Sequence, residues 1–432
     1  MQDSHYQVNW TLYLLTAGYL LWLLALLLFF GYTPTNDGVG YIEYAEHCLA
    51  QGQPYPSASI YHEAPFVWNI GIINLVELSL WLTGAIWPVL LLMCIMKSAI
   101  CLLTGLIAKH LFSQRIAIMT MILFICYPNN WGQSTMISSE IPSTCLAMTA
   151  VWLAVSRRKL FIAGITLALA NWFRPTATIF LVSIILYLII IYRSHCLKNT
   201  IRIIAGYVTF IALIGTSCYL RTGHFVYQAR SYWFSMVDEC YDGAAVAPHW
   251  GQPIWPEGTP RYIENHEQMD CFDFERIWRQ RSVGWLKDHP TDYLKKIPGR
   301  LYYMYQSDYD NLPAFLNDKS LPENNYITIP IRHLLTEASA MSAAQWLALL
   351  SLFIYAAYLL MAVKGTVNLI RQRQFRSLFL PLFIVAGGSL ALVLVMHGET
   401  RFKDPFMPSL MMLSAIGFYH LSSQKDPLKN GK

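Results

Sequence analysis

Apolar residues fall into long blocks along this chain. Near-continuous runs at about 10–30, 87–108, 115–128, 139–155, 159–172, 176–192, 203–220, 343–363, 377–396 and 405–421 each predict a membrane helix. About 20 apolar residues are needed to cross roughly 30 Å of hydrocarbon. One further run, 65–84, begins at Pro65 and contains Asn69, Asn74 and Glu77, so it is expected to lie along the interface or re-enter. Between 221 and 342 the pattern turns polar, with Pro248, Pro253, Pro256 and Pro260 in loop-like sequence and helical patterns near 272–288 and 290–306.

The predicted fold is an all-α polytopic membrane protein with about ten transmembrane helices plus interfacial helices. A small periplasmic domain is inserted before the last three helices. The expected divisions are an N-terminal membrane module over 1–220, with a first outer loop at 31–86 that holds candidate chemistry, a periplasmic domain over 221–342, mainly helical or α/β, and the C-terminal membrane helices over 343–432.

Charge placement supplies the orientation. With the N-terminus inside, the short cytoplasmic loops collect Lys109, Arg115, Arg157, Arg158, Lys159, Arg193, Lys198, Arg202, Lys364, Arg371, Arg373, Arg376, Lys425, Lys429 and Lys432. The short outer loops keep Arg174, Arg401 and Lys403. Fifteen basic residues against three is a strong positive-inside signal. Counting 65–84 as a span would invert every loop after it. The chain has 432 residues, 55% of them apolar and 13% charged, with a net charge of +5 and a mean hydropathy of +0.36. Its basic excess lies in membrane loops, so it points to membrane lipids and not to nucleic acid. The expected location is the bacterial cytoplasmic (inner) membrane, with the site facing the periplasm or cell exterior. The first helix is expected to stay attached, since it lacks a basic n-region and no small-residue cleavage site precedes Asp37.

Nine cysteines are scattered without zinc spacing. Those in apolar helices suit small buried hydrophobes. Cys240 and Cys271 both fall in the polar insert, and their spacing leaves a disulfide open.

Thr35-Asn36-Asp37-Gly38-Val39-Gly40-Tyr41 places a carboxylate at the exit of the first membrane helix, in a loop free of Lys and Arg. On the outer side ATP and nucleotide sugars are absent, so chemistry there draws on lipid-carried or already activated substrates. Four segments then stand out in order. The first is Asp37-Gly-Val-Gly-Tyr41-Ile-Glu-Tyr44-Ala45 running to Leu49, Gly52 and Tyr55, and the second is Ser138-Ser139-Glu140-Ile141-Pro142. The third is Asn171-Trp172-Phe173-Arg174-Pro175-Thr176, and the fourth Glu399-Thr-Arg401-Phe402-Lys403-Asp404-Pro405-Phe-Met-Pro408. A softer one runs from His289-Pro290 to Arg300-Leu301-Tyr302-Tyr303. Together they resemble the GT-C superfamily of polyprenyl-phosphate-sugar glycosyltransferases, in the branch of aminoarabinose transferases and protein O-mannosyltransferases. The chain departs from that pattern at His62-Glu63-Ala64-Pro65, where many relatives carry a Lys-Pro pair.

The resemblance implies inverting transfer of a monosaccharide from a polyprenyl-phosphate donor to a glycan, lipid or protein acceptor, with no cofactor. Such a transfer needs a base, a cation for the departing phosphate and exclusion of water. Asp37 is the candidate general base, or else the cap of an amphipathic helix over 38–50. Glu140 suits either orientation of a substrate or cation, or a helix N-terminus. Arg174 and Arg401 are the candidate phosphate ligands, because a guanidinium grips a phosphate bidentately; snorkelling to headgroups is the alternative. Arg300, beside Lys295 and Lys296, is a third candidate for the donor phosphate or for anionic lipid. Tyr41, Glu43, His62, Glu63 and Lys403 are further possible substrate contacts, Lys403 being expected as an exposed surface charge. His62 and Glu63 also hold open a divalent metal shared with a histidine of the insert. Lys97, inside a membrane helix, is a functional suspect that Glu77 could neutralise.

A lipid-linked glycan transporter and an O-antigen ligase or polymerase are the alternative readings. A transporter more often shows pseudo-symmetric halves and broken midplane helices. Here the suspicious residues cluster at one membrane face.

Overall fold

The structure, a computed structural model, describes residues 10–55, 69–157, 159–191, 196–241, 262–265, 268–316, 328–396 and 398–419. Among them every regular element is helical. In chain order these are α1 (Trp10–Phe30), α2 (Asn36–Gln51), α3 (Ile70–Thr83), α4 (Trp87–Leu111), α5 (Gln114–Ile125), α6 (Pro128–Gly132), α7 (Glu140–Val155), α8 (Leu160–Phe173), α9 (Ala177–Ile191) and α10 (Cys196–Thr222). Then follow α11 (Ser231–Tyr241), α12 (Cys271–Asp288), α13 (Pro290–Tyr305), α14 (Asn311–Phe315), α15 (Thr328–Glu337), α16 (Ala343–Arg371), α17 (Phe375–Leu382), α18 (Gly388–Val395) and α19 (Met407–Phe418). A π turn over Phe383–Gly387 joins α17 to α18, making one apolar helix, Phe375–Val395.

The chain is a multi-pass integral membrane protein. Five helices are long and apolar enough to cross a bilayer alone: α1, α4, α10, α16 and Phe375–Val395. The other predicted spans appear as shorter helices, α5, α7, α8, α9 and α19, of 12 to 16 residues. The 65–84 run yields α3, whose 14 residues extend about 21 Å, short of the hydrocarbon thickness. Burial sorts the long helices. The apolar windows of α1 and α10 are each 22% buried and face lipid, whereas that of α4 is 56% buried. α19 is buried along its whole length from Met407 to Gly417 and forms the centre of the bundle.

Glycine lets two helix pairs touch backbone to backbone. A β-carbon on Gly164 of α8 would fall 2.0 Å from the Ile203 carbonyl of α10, and one on Gly365 of α16 equally close to the Leu413 carbonyl of α19. Small residues are the usual means of such close crossings in membranes.

The polar insert is helical where it is described, with α12 and α13 matching the two predicted helices. Asp270 caps α12 by accepting from the amides of Phe272 and Asp273, each at 2.9 Å. Cys240 and Cys271 are both buried.

Candidate active site

Four helix ends and one turn converge on a single polar cluster. At the start of α2 the hydroxyl of Thr35, with extended backbone, accepts from the Gly38 amide at 3.1 Å. Thr35 is therefore the helix cap, and not Asp37 as the sequence left open. Asp37, in the first turn, instead turns its carboxylate to Arg401 Nη1, 2.5 Å away across 364 residues of sequence. Arg401 Nε lies 2.9 Å from Glu399 Oε1. Burial alone would weaken the hold of Arg401 on its proton, but Asp37, Glu399 and Glu140 outweigh it and raise the guanidinium well above its ordinary range. It is a fixed cation.

A second ion pair lies alongside. Pro175 disfavours helical backbone at the preceding residue, so α8 ends at Phe173 and Arg174 is extended. Its Nη1 reaches Glu140 Oε1 at 2.7 Å and donates to the Ser139 hydroxyl at 3.0 Å. Ser139 is the hub of the cluster. It also accepts from the Asn69 amide at 3.1 Å and from the Tyr41 hydroxyl at 3.4 Å, and donates to Glu140 at 3.3 Å. Asn69 donates to Tyr41 as well, at 3.1 Å. Burial, then the Asp37 and Glu140 charges, push the Tyr41 hydroxyl far above its usual range, so it stays a neutral donor. The Phe402 ring lies 5.7 Å from the Arg174 guanidinium carbon and closes one side.

The structure thus unites Asp37, Tyr41, Glu140, Arg174 and Arg401 from the predicted set. Glu43 points outward from α2 and is exposed. His62 and Glu63 lie outside the described residues. Lys403, expected as a surface charge, is wholly buried: its Nζ donates to the Ser307 and Thr400 carbonyls at 2.8 Å each and lies 3.4 Å from Asp308. The turn Thr400–Phe406 buries Thr400, Phe402, Lys403, Pro405 and Phe406 and leaves Arg401 and Asp404 partly open, which a linear pattern does not show. Arg300 is also wholly buried, paired with Glu239 at 2.7 Å, and its side chain lies apart from the Asp37 cluster. Lys97 meets Gln133 at 2.5 Å, not Glu77, which accepts instead from Asn74. Among the described residues no three His, Cys, Asp or Glu side chains converge as a metal site.

Sequence reasoning missed Ser139, Asn69 and Glu399. Asn69 interrupts an apolar run, and Ser139 and Glu399 lie inside the second and fourth family-like segments, beside the charges nominated there.

Residues 72–219 match the profile of the dolichyl-phosphate-mannose-protein mannosyltransferase family. No curated protein sequence matches the chain. Among solved structures, the oligosaccharyltransferase of Archaeoglobus fulgidus in its apo form superposes with a TM-score of 0.51 at 12% identity, over 96% of this chain and 51% of that one. The archaeal oligosaccharyltransferase AglB from the same organism, in complex with an inhibitory peptide and a dolichol-phosphate, gives 0.54 at 13% identity over 96% and 50%. A form tethered to an acceptor peptide containing the NVT sequon gives 0.51 at 14% identity, also over 96% and 50%. The chain spans about half the length of these proteins, and at such identities the likeness is one of fold. The profile match over residues 72–219 and the shared all-α fold both support the resemblance to the GT-C superfamily.

Proposed function

We propose that this protein is an inverting glycosyltransferase that moves a monosaccharide from a polyprenyl-phosphate carrier to an acceptor hydroxyl or amine at the periplasmic face of the cytoplasmic membrane. The observation that carries the reading is the contact between Asp37 and Arg401. It puts a carboxylate suited to take the acceptor proton beside a fixed cation suited to the departing phosphate. Arg174 supplies a second guanidinium, held by Glu140 and Ser139. The family profile, whose described members act with dolichyl-phosphate-mannose, supports the same donor chemistry. The site is closed by its own ion pairs. A phosphate arriving at Arg401 competes with Asp37 for the guanidinium, and releases the carboxylate for the acceptor in the same event.

A second reading, oligosaccharide transfer from a lipid diphosphate, draws on the presence of two guanidiniums and on the oligosaccharyltransferase fold relatives. The mass added to the acceptor separates the two, one sugar residue against several.

The test is Asp37→Asn in reconstituted membranes. The amide keeps the shape and the Thr35 cap, but loses basicity. Transfer is expected to fall on the order of a hundredfold to ten-thousandfold, with donor still bound. Near-normal transfer by the folded variant would remove Asp37 as the base.

A further inference from the structure

Next to the Asp37 cluster a second polar cluster is sealed inside the bundle, and the proposed chemistry uses none of it. Lys97, midway along α4, donates to Gln133 Oε1 at 2.5 Å, and Gln133 donates in turn to Asp404 Oδ2 at 2.5 Å. Lys403 is fixed to Asp308 and to the Ser307 and Thr400 carbonyls. Asp308 further accepts from Asn129 at 2.8 Å and from the Tyr127 hydroxyl. Lys97, Lys403 and Asp308 are all buried. Burial and the nearby Asp308 push the Asp404 carboxyl upward. Charges held this deep are costly, and in membrane proteins they tend to be functional.

Their position in the chain suggests what they do. Arg401, Lys403 and Asp404 all belong to the Thr400–Phe406 turn, a 3-10 helix. Side chains three apart eclipse in that geometry, separated by about 6 Å along the axis. Asp404 therefore sits one turn beneath Arg401 on the same side, and whatever fixes Asp404 fixes the direction of Arg401. A small cavity lined by Lys97, Gln133, Glu140, Thr144 and Asp404 lies between the two clusters, with room for roughly one water (about 10 Å³).

We propose that Lys97 is a positioning residue for Arg401, working through Gln133 and Asp404 to hold the Thr400–Phe406 turn in register with Asp37. This rests on the reading of Arg401 as the phosphate ligand.

Removing one buried charge alone strands the other, so the informative variant is Lys97→Met/Asp404→Leu, which removes both. Replacing a buried pair by apolar residues is commonly neutral for stability. The probe is a short-chain polyprenyl phosphate binding to the purified protein. We expect a modest fall in melting temperature, because the buried Gln133 amide loses both partners, and a loss of affinity of roughly tenfold or more, the equivalent of one charged hydrogen bond. Adding Arg401→Ala is expected to cost little further, because both changes remove one interaction. Gln133→Met, which cuts the link but keeps both charges, serves as the second variant and is expected to lose affinity similarly. Wild-type affinity in the folded double variant or in Gln133→Met, or full additivity with Arg401→Ala, overturns the proposal. Wild-type affinity in Arg401→Ala alone overturns the underlying reading of Arg401, and this proposal with it.

Discussion

The same chemical pair occurs here in two settings. Arg401 meets Asp37 at 2.5 Å with side-chain exposures of 30% and 18%, whereas Arg300 meets Glu239 at 2.7 Å with exposures of 0% and 2%. Distance does not distinguish them. What differs is access and anchoring. Arg300 also donates to the Val393 carbonyl at 3.1 Å and lies under the Tyr293 ring, 4.4 Å from its centroid. Its carbonyl sits where a β-carbon on Gly398 would fall, 1.9 Å away. No phosphate can replace Glu239 without first dismantling that packing. Arg401, half-open and flanked by Asp37 and Glu399, can exchange one anionic partner for another. A sealed pair holds a shape, and a half-open pair holds a place for a ligand.

The largest effect expected from this contrast is on stability. Arg300→Met leaves Glu239 buried without its cation and should cost about 3–5 kcal/mol, read as a clear fall in the thermal midpoint. A variant as stable as the wild type would erase the distinction. Next in size is Arg401→Lys. A compact ammonium cannot reproduce the guanidinium fork, so affinity for polyprenyl phosphate should drop roughly tenfold or more while the thermal midpoint stays put, since a half-exposed pair contributes at most about 1 kcal/mol. Unchanged binding would move the phosphate to Arg174. The smallest is Thr35→Ala, which removes the α2 cap at a cost of about 1 kcal/mol and should lower transfer only slightly. A loss of transfer comparable to that of Asp37→Asn would show that the cap itself aims Asp37.

The candidate site was legible where a charge stood at a helix end in a loop poor in Lys and Arg. Asp37, Glu140, Arg174 and Arg401 all satisfy that description, and all four meet. The helices of the polar insert were legible from periodicity, since α12 and α13 each keep one apolar face. Neutral partners were not legible, because Ser139 and Asn69 matter through geometry that joins residues 70 positions apart. Exposure of single charges was not legible either. Lys403 read as a surface cation and Arg300 as a phosphate or lipid ligand because their partners, Asp308 and Glu239, lie 95 and 61 positions away in sequence. The number of crossings is only partly legible, for five of the predicted spans become helices too short to cross unaided.

The π turn at Phe383–Gly387 sets the phase of everything after it. One extra residue in a helical ladder rotates the following segment by about 100°. The last carbonyls of a helix have no partner within it, and in α18 those of Val393 and Leu394 happen to face α13. There they accept from Arg300 and from the Tyr293 hydroxyl, the latter at 3.0 Å. Without the extra residue those carbonyls would turn away from α13. The strand of chain through Gly398 and Glu399 to Arg401 would start from a different azimuth and miss Asp37. The register of a membrane helix, counted in single residues, is thus what brings the two ends of this chain to one point.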